Sequence, residues 1–250
     1  MHDVGIYENL ILGIHFLLLK KCKIFDEKTI VRCYTGRSMR INVRKHERRG
    51  YQSIKMSNIL EKQFLKQRND FEKSCVERDK KYHFPQGVIF ETDIAYAKDK
   101  NKAHRLDRYR PKGKEAQILP VIINVHGGGL LLGNKEFNKY FCALLSKKGF
   151  LVYSMEYRLI PDCTFFDQLR DIFLAMDFVK EHAAADGGDL SHVYLVGDSG
   201  GACLATYANA IQNSKKIAKA AGVKPSELKV HALGLISGCL LYTSPSPRDA

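Results

Sequence analysis

The sequence predicts a doubly wound α/β fold: a mostly parallel sheet with helices on both faces, preceded by a helical segment. Three observations carry this reading. From Val88 onward short apolar runs alternate with longer helical stretches, the apolar runs are nearly continuous, and the helical stretches end near glycines. A run such as Val121-Ile122-Ile123-Asn124-Val125 suits a parallel strand covered on both sides. With 250 residues, 45% of them apolar, the chain has enough material for one large domain of this kind.

Taken in order, residues 54–76 place Ile54, Ile59, Leu60, Phe64, Phe71, Cys75 and Val76 at a loose 3.6 period among charges, which predicts an amphipathic helix. Pro85 and Gly87 then punctuate the chain. Strands are expected at Val88–Ala97, Leu106–Arg110, Val121–Val125, Phe150–Tyr157, Val193–Val196 and Val230–Ile236. Helices are expected at Asn134–Lys148, Phe165–Ala184 and Ala202–Ala220, stopped by Gly149, Gly187 and Gly222. This gives three expected segments: a basic, cap-like helical part at 1–87, the α/β core at 88–238, and a tail at 239–250.

The apolar run Leu10–Leu19 is about half the ~20 residues that a membrane-spanning helix needs, so no transmembrane segment is expected. Asp3 and Glu8 precede the run and Lys20 and Lys21 follow it, the reverse of a signal peptide's charge order. It reads as a buried or cap-forming helix, with interfacial membrane contact as the weaker alternative. Of the net charge of +13, residues 1–88 carry +9, from 19 Lys and Arg against 10 Asp and Glu. Such a basic third invites a nucleic-acid reading. It has no zinc, RNP or homeodomain pattern and its charges alternate from Glu61 to Lys81, so a solvated helical face is expected and no nucleic-acid partner. Seven irregularly spaced cysteines without a CxxC pair argue against a disulfide framework or a zinc site, and favour reduced thiols in a cytoplasmic setting.

The chemistry lies in two motifs, each after an apolar strand: His126-Gly127-Gly128-Gly129 and Gly197-Asp198-Ser199-Gly200-Gly201. Ser199 follows Val193-Tyr194-Leu195-Val196 and opens the helical stretch from Ala202, the strand, sharp turn and helix of a nucleophile elbow. Side chains at 197 or 201 would collide with the adjoining strand and helix. At a helix N-terminus Ser199 gains from the dipole, and the Gly200 amide points where an oxyanion would form. Gly127 and Gly128 are expected to supply the remaining donors. The GDSGG string also surrounds the nucleophile of trypsin-like proteases, but those are disulfide-bonded β-barrels in which the serine does not open a helix.

With these motifs, the chain from Val88 to Gly238 resembles the α/β-hydrolases of the hormone-sensitive-lipase-like group, the bacterial type IV esterases. Arg108-Tyr109-Arg110-Pro111 and Tyr157-Arg158-Leu159-Ile160-Pro161-Asp162 add to the likeness. The resemblance implies that Ser199 is the acyl-accepting nucleophile and that the Gly127, Gly128 and Gly200 amides form the oxyanion hole. It also implies that His126 shapes its loop without acting as the base, and that N-terminal helices cap the acyl pocket. Two positions depart from the family habit: Gly200 stands where Ala is usual, and Asp162 where Glu is usual.

In such enzymes the order is nucleophile, acid, histidine. After Ser199 the sequence offers only Glu227, His231 and Asp249. His231 reads as structural, and Glu227 sits in a surface turn. By the family's layout the acid and the base follow two further strands, so the chain as given is expected to lack both and to be inactive. The tail interrupts the pattern with Ser244-Pro245-Ser246-Pro247. Residues Cys239–Asp249 resemble the translation of a transposase adaptor used in sequencing libraries, so the natural frame is expected to continue past Gly238.

The function expected of the parent protein is hydrolysis of small-molecule esters through an acyl-enzyme on Ser199, with no cofactor and no metal. Asp186-Gly187-Gly188-Asp189 lacks the spacing of a calcium loop and reads as a turn. Peptidase or acetyl-sugar esterase action on the same fold stays open, as does a non-catalytic relative that binds a small ligand. Acyl length, leaving group and oligomeric state are not legible in the sequence.

Overall fold

The computed structural model describes residues 58–238, so the expected helix at Leu10–Leu19 and the tail from Cys239 lie outside the described residues. The elements run α1 (Asn58–Asp79), β1 (Val88–Ala95), β2 (Arg105–Pro111), β3 (Leu119–Val125), a 3₁₀ turn (Lys135–Asn138), α2 (Lys139–Lys147), β4 (Leu151–Met155) and α3 (Phe165–His182). They continue with β5 (Gly188–Asp198), α4 (Gly200–Gln212), α5 (Lys215–Ala221) and β6 (Ala232–Ile236).

The six strands form one sheet in the order β1-β2-β4-β3-β5-β6. β1 and β2 pair antiparallel, and so do β2 and β4; β4, β3, β5 and β6 run parallel. From β3 the chain crosses one way to β4, then back past β3 to β5. Right-handed crossovers therefore put α2 on one face and α3 with α4 on the other. Beneath α2, Cys142 and Ala143 pack on Tyr109, Ile122 and Val152. The neighbours of Ile122, Val121 and Ile123, point to the opposite face and are equally buried, so this strand is apolar along its whole length.

Two expectations are corrected. The helix expected over Ala202–Ala220 is two helices, because Asn213 and Ser214 interrupt it and the Ser214 side chain caps α5 by accepting from the Ile217 amide (3.3 Å). The turn expected at 186–189 is in part strand: Gly188 and Asp189 pair with Leu119 and Pro120, across a register shift that accommodates the proline. Asp186 accepts from Arg108 and from the Tyr153 hydroxyl (2.6 Å).

α1 turns Phe64, Arg68, Phe71, Cys75 and Arg78 inward at helical spacing, whereas Val76, expected on that face, is exposed. Phe71 meets Phe137 at 5.2 Å between ring centroids, and Asp79 pairs with Lys139 at 2.6 Å. Residues from Lys62 on thus pack directly with the α/β core in one compact unit.

A buried polar cluster ties the loop after β4 to α3. Asp171, fully buried, accepts from the Arg158 amide (3.0 Å) and guanidinium (2.6 Å at Nη2), and from His104 Nε2 (3.1 Å). Removing Asp171 leaves the partly exposed Arg158 guanidinium and the buried His104 Nε2 without that acceptor. Asp171→Ala is expected to lower stability by about 1–3 kcal/mol in urea unfolding. Cys75, Cys142 and Cys163 carry free thiols. Burial pushes Cys142 up to about 12 and Cys163 likewise up to about 12. Neither thiol is expected to react with iodoacetamide at pH 8 in the native protein, and both should react after unfolding, as peptide mass mapping would read.

Candidate active site

Strand register assembles the site. β3 and β5 pair in parallel with Val125 opposite Gly197, so the residues that follow, His126-Gly127 and Asp198-Ser199, leave the sheet side by side. This is the crevice at the carboxyl ends of the strands where the strand order reverses. The two motifs, 71 residues apart, become one loop cluster.

Ser199 sits between β5 and α4 with φ 47° and ψ −114°, a strained conformation for a residue with a Cβ. Its amide donates to the Ile236 carbonyl (2.8 Å), and its carbonyl accepts from Cys203 (3.2 Å). The side chain makes no capping bond to α4 and is exposed. The turn closes this tightly because its flanks lack side chains. A Cβ on Gly197 would strike the Gly201 carbonyl group, and one on Gly201 would strike the carbonyl oxygens of Val125 and His126.

His126 is fully buried and donates from Nε2 to Glu156 (3.0 Å), with Nδ1 2.7 Å from the Gly127 carbonyl oxygen. Its ring stacks on Tyr157 at 4.2 Å, and the Tyr157 hydroxyl donates to the His126 carbonyl (2.8 Å). Burial pushes the Tyr157 phenol well above its ordinary range, so it stays a donor. Beyond His126 the backbone enters the left-handed region three times in succession, at Gly128 (φ 112°), Gly129 (62°) and Leu130 (71°). A side chain on Gly128 would strike the Leu132 carbonyl group.

The expected donors need one correction. The Gly127 amide donates to Asp198 Oδ1 (2.9 Å), which also accepts from Asn138 Nδ2 (2.7 Å). Gly127 is therefore engaged in holding the two motifs together and is not free to meet a ligand. Among the described residues, the amides of Gly128, Gly129, Leu130 and Gly200 have no hydrogen-bond acceptor. The space that a Cβ on Gly200 would fill lies 3.1 Å from the Gly129 nitrogen and 3.0 Å from the Leu130 nitrogen, so the Gly129 and Leu130 amides lie against the start of α4.

His231 and Glu227 stand elsewhere. His231 accepts from the Val193 amide through Nδ1 (3.3 Å), six residues before Ser199 on β5 and so about 20 Å down the strand. Glu227 pairs with Lys180. Among the described residues no histidine hydrogen-bonds to Ser199, and no helix is long and apolar enough to cross a membrane.

Sheet order, the strained serine turn and the glycine loop define the core of an α/β-hydrolase of the fold-3 type. The chain matches the BD-FAE family over residues 106–234, just over half its length, and belongs to that family. It is 31% identical over 140 residues to the isoprenylcysteine alpha-carbonyl methylesterase ICME of Arabidopsis thaliana, covering 56% of this chain and 32% of that protein. Among solved structures it is similar to esterase B of Lactobacillus rhamnosis (TM-score 0.65, 29% identity, 71% of this chain and 58% of that one). It is similar, too, to an esterase of Pyrobaculum calidifontis (TM-score 0.56, 29% identity, 73% and 54%). The chain spans 27–32% of the length of the curated relatives it matches.

Gly201→Ala, which forces a methyl against two backbone carbonyls, is expected to lower stability by about 1–3 kcal/mol in urea unfolding, and Gly222→Ala by less.

Proposed function

We propose that the protein is a serine ester hydrolase acting on small-molecule esters, with Ser199 as nucleophile and the Gly128, Gly129 and Gly200 amides as the oxyanion hole. The observation that carries this is the approach of the glycine loop, with its unbonded amides, to Gly200, the residue that follows an exposed serine at a helix N-terminus. The esterases among the relatives support the same reaction class.

In the first step Ser199 Oγ bonds to the carbonyl carbon and gives its proton to a general base. The carbonyl oxygen takes the electron pair and is held by the three amides. Collapse breaks the bond to the alcohol oxygen, which leaves with that proton, and the acyl group stays on Ser199. Water repeats the sequence on the acyl-enzyme, releasing the acid and the free serine. His126 cannot be the base, since its ring is buried against Glu156 and Tyr157. The reading requires a base and an orienting acid from outside the described residues. Free thiols at Cys75, Cys142 and Cys163 support a reducing, cytoplasmic setting.

The full-length protein is expected to release a stoichiometric burst of p-nitrophenol from short acyl esters, and Ser199→Ala to abolish it while folding normally. A burst of equal size in Ser199→Ala would overturn the assignment. No turnover at all in the full-length protein would favour a non-catalytic relative that binds a small ligand in the same crevice.

A further inference from the structure

We infer that Arg68, on α1, is a positioning residue for the oxyanion loop, so that this helix is part of the working site and not only a cover over it. The inference rests on the reading of that loop as the oxyanion hole.

The Arg68 guanidinium reaches three acceptors on two loops. Nε donates to the Leu131 carbonyl (3.0 Å), Nη2 to the Ile160 carbonyl (2.9 Å) and Nη1 to Asp162 Oδ2 (2.8 Å). The side chain is 18% exposed while Asp162 is 67% exposed, so the two carbonyl bonds are the sheltered ones and the ion pair is open to water. Leu131 directly follows the run of left-handed residues Gly128-Gly129-Leu130. Such a backbone persists only where its surroundings fix it from several sides.

Those sides can be named. Asp198 holds the loop's start through the Gly127 amide. The Leu130 carbonyl accepts from the Ile160 amide (3.0 Å) and from Gln168 Nε2 (2.9 Å). Arg68 holds the next carbonyl, Leu131, and at the same time the carbonyl of Ile160, whose amide holds Leu130. It thereby closes a ring of bonds through Leu130, Leu131 and Ile160, one residue from the Gly129 amide. A planar fork can meet both carbonyls at once; a lysine ammonium on a flexible stem cannot hold them in the same fixed geometry.

A simple docking contact would need less. α1 is already fastened to the core by Phe71 on Phe137, by Arg78 Nη2 donating to the Phe137 carbonyl (3.0 Å), and by the Asp79–Lys139 pair. Loss of Arg68 should leave the helix in place and loosen the loop.

The test compares Arg68→Ala, Arg68→Lys and Asp162→Asn in the full-length protein, measuring kcat and KM on p-nitrophenyl acetate and the rate at which a p-nitrophenyl phosphonate labels Ser199. Misplacing a donor costs up to about 100-fold, so both Arg68 variants are expected to lose about 10- to 100-fold in kcat and in labelling rate, with KM changed less than about 3-fold. Asp162→Asn, which keeps both carbonyl bonds, should stay within about 3-fold of the unaltered protein. If Arg68→Ala does not fold, Arg68→Lys carries the test. Labelling of the unaltered protein at Ser199, together with unchanged kcat in the Arg68 variants, would overturn this inference alone. Failure of the unaltered protein to label at Ser199 would overturn the reading of the site, and this inference with it.

Discussion

The pairing of β3 with β5, Val125 opposite Gly197, is the constraint on which the rest of the site depends. Neither motif means much alone. Adjacent in the sheet, they leave it together and share one carboxylate, that of Asp198, which accepts from the Gly127 amide and from Asn138. Charge-assisted bonds of this kind contribute about 1.5–3 kcal/mol each, comparable with the roughly 1–3 kcal/mol of strain at a residue such as Ser199. The fold can hold an unfavourable serine conformation because its neighbours fix it from both loops.

A second layer of support comes from the loop after β4. Glu156 takes the His126 ring, Tyr157 stacks on that ring and bonds its carbonyl, and Ile160 bonds Leu130. That loop is itself anchored by Arg158 on the buried Asp171. The line from α3 through this loop to the glycine turn is continuous, and every member has a named partner. Rigid backing of this sort lets backbone amides stand without acceptors near Ser199, their cost offset elsewhere.

Much of this was legible in the sequence. Continuous apolar runs identified the parallel strands, and strand, glycine-rich turn and helix located Ser199 and the glycine loop. What the residues could not reveal was which amide of the loop is free. Gly127 and Gly129 are alike as letters, and only the approach of Asp198 tells them apart. Ser214 was equally silent, since a serine inside a helical run marks a cap only once the next turn closes around it. Arg68 looked like one charge among many on an amphipathic helix. Its role depends on carbonyls 63 and 92 residues away, a distance no local pattern can encode.

The most direct measurement is a crystal structure of the full-length protein after reaction with a p-nitrophenyl alkylphosphonate. The expected result is phosphorus on Ser199 Oγ, with the phosphoryl oxygen about 2.7–3.1 Å from the Gly128, Gly129 and Gly200 nitrogens and the Gly127 amide still on Asp198. Phosphorus on another side chain, or a phosphoryl oxygen held by Gly127 with its bond to Asp198 broken, would contradict it.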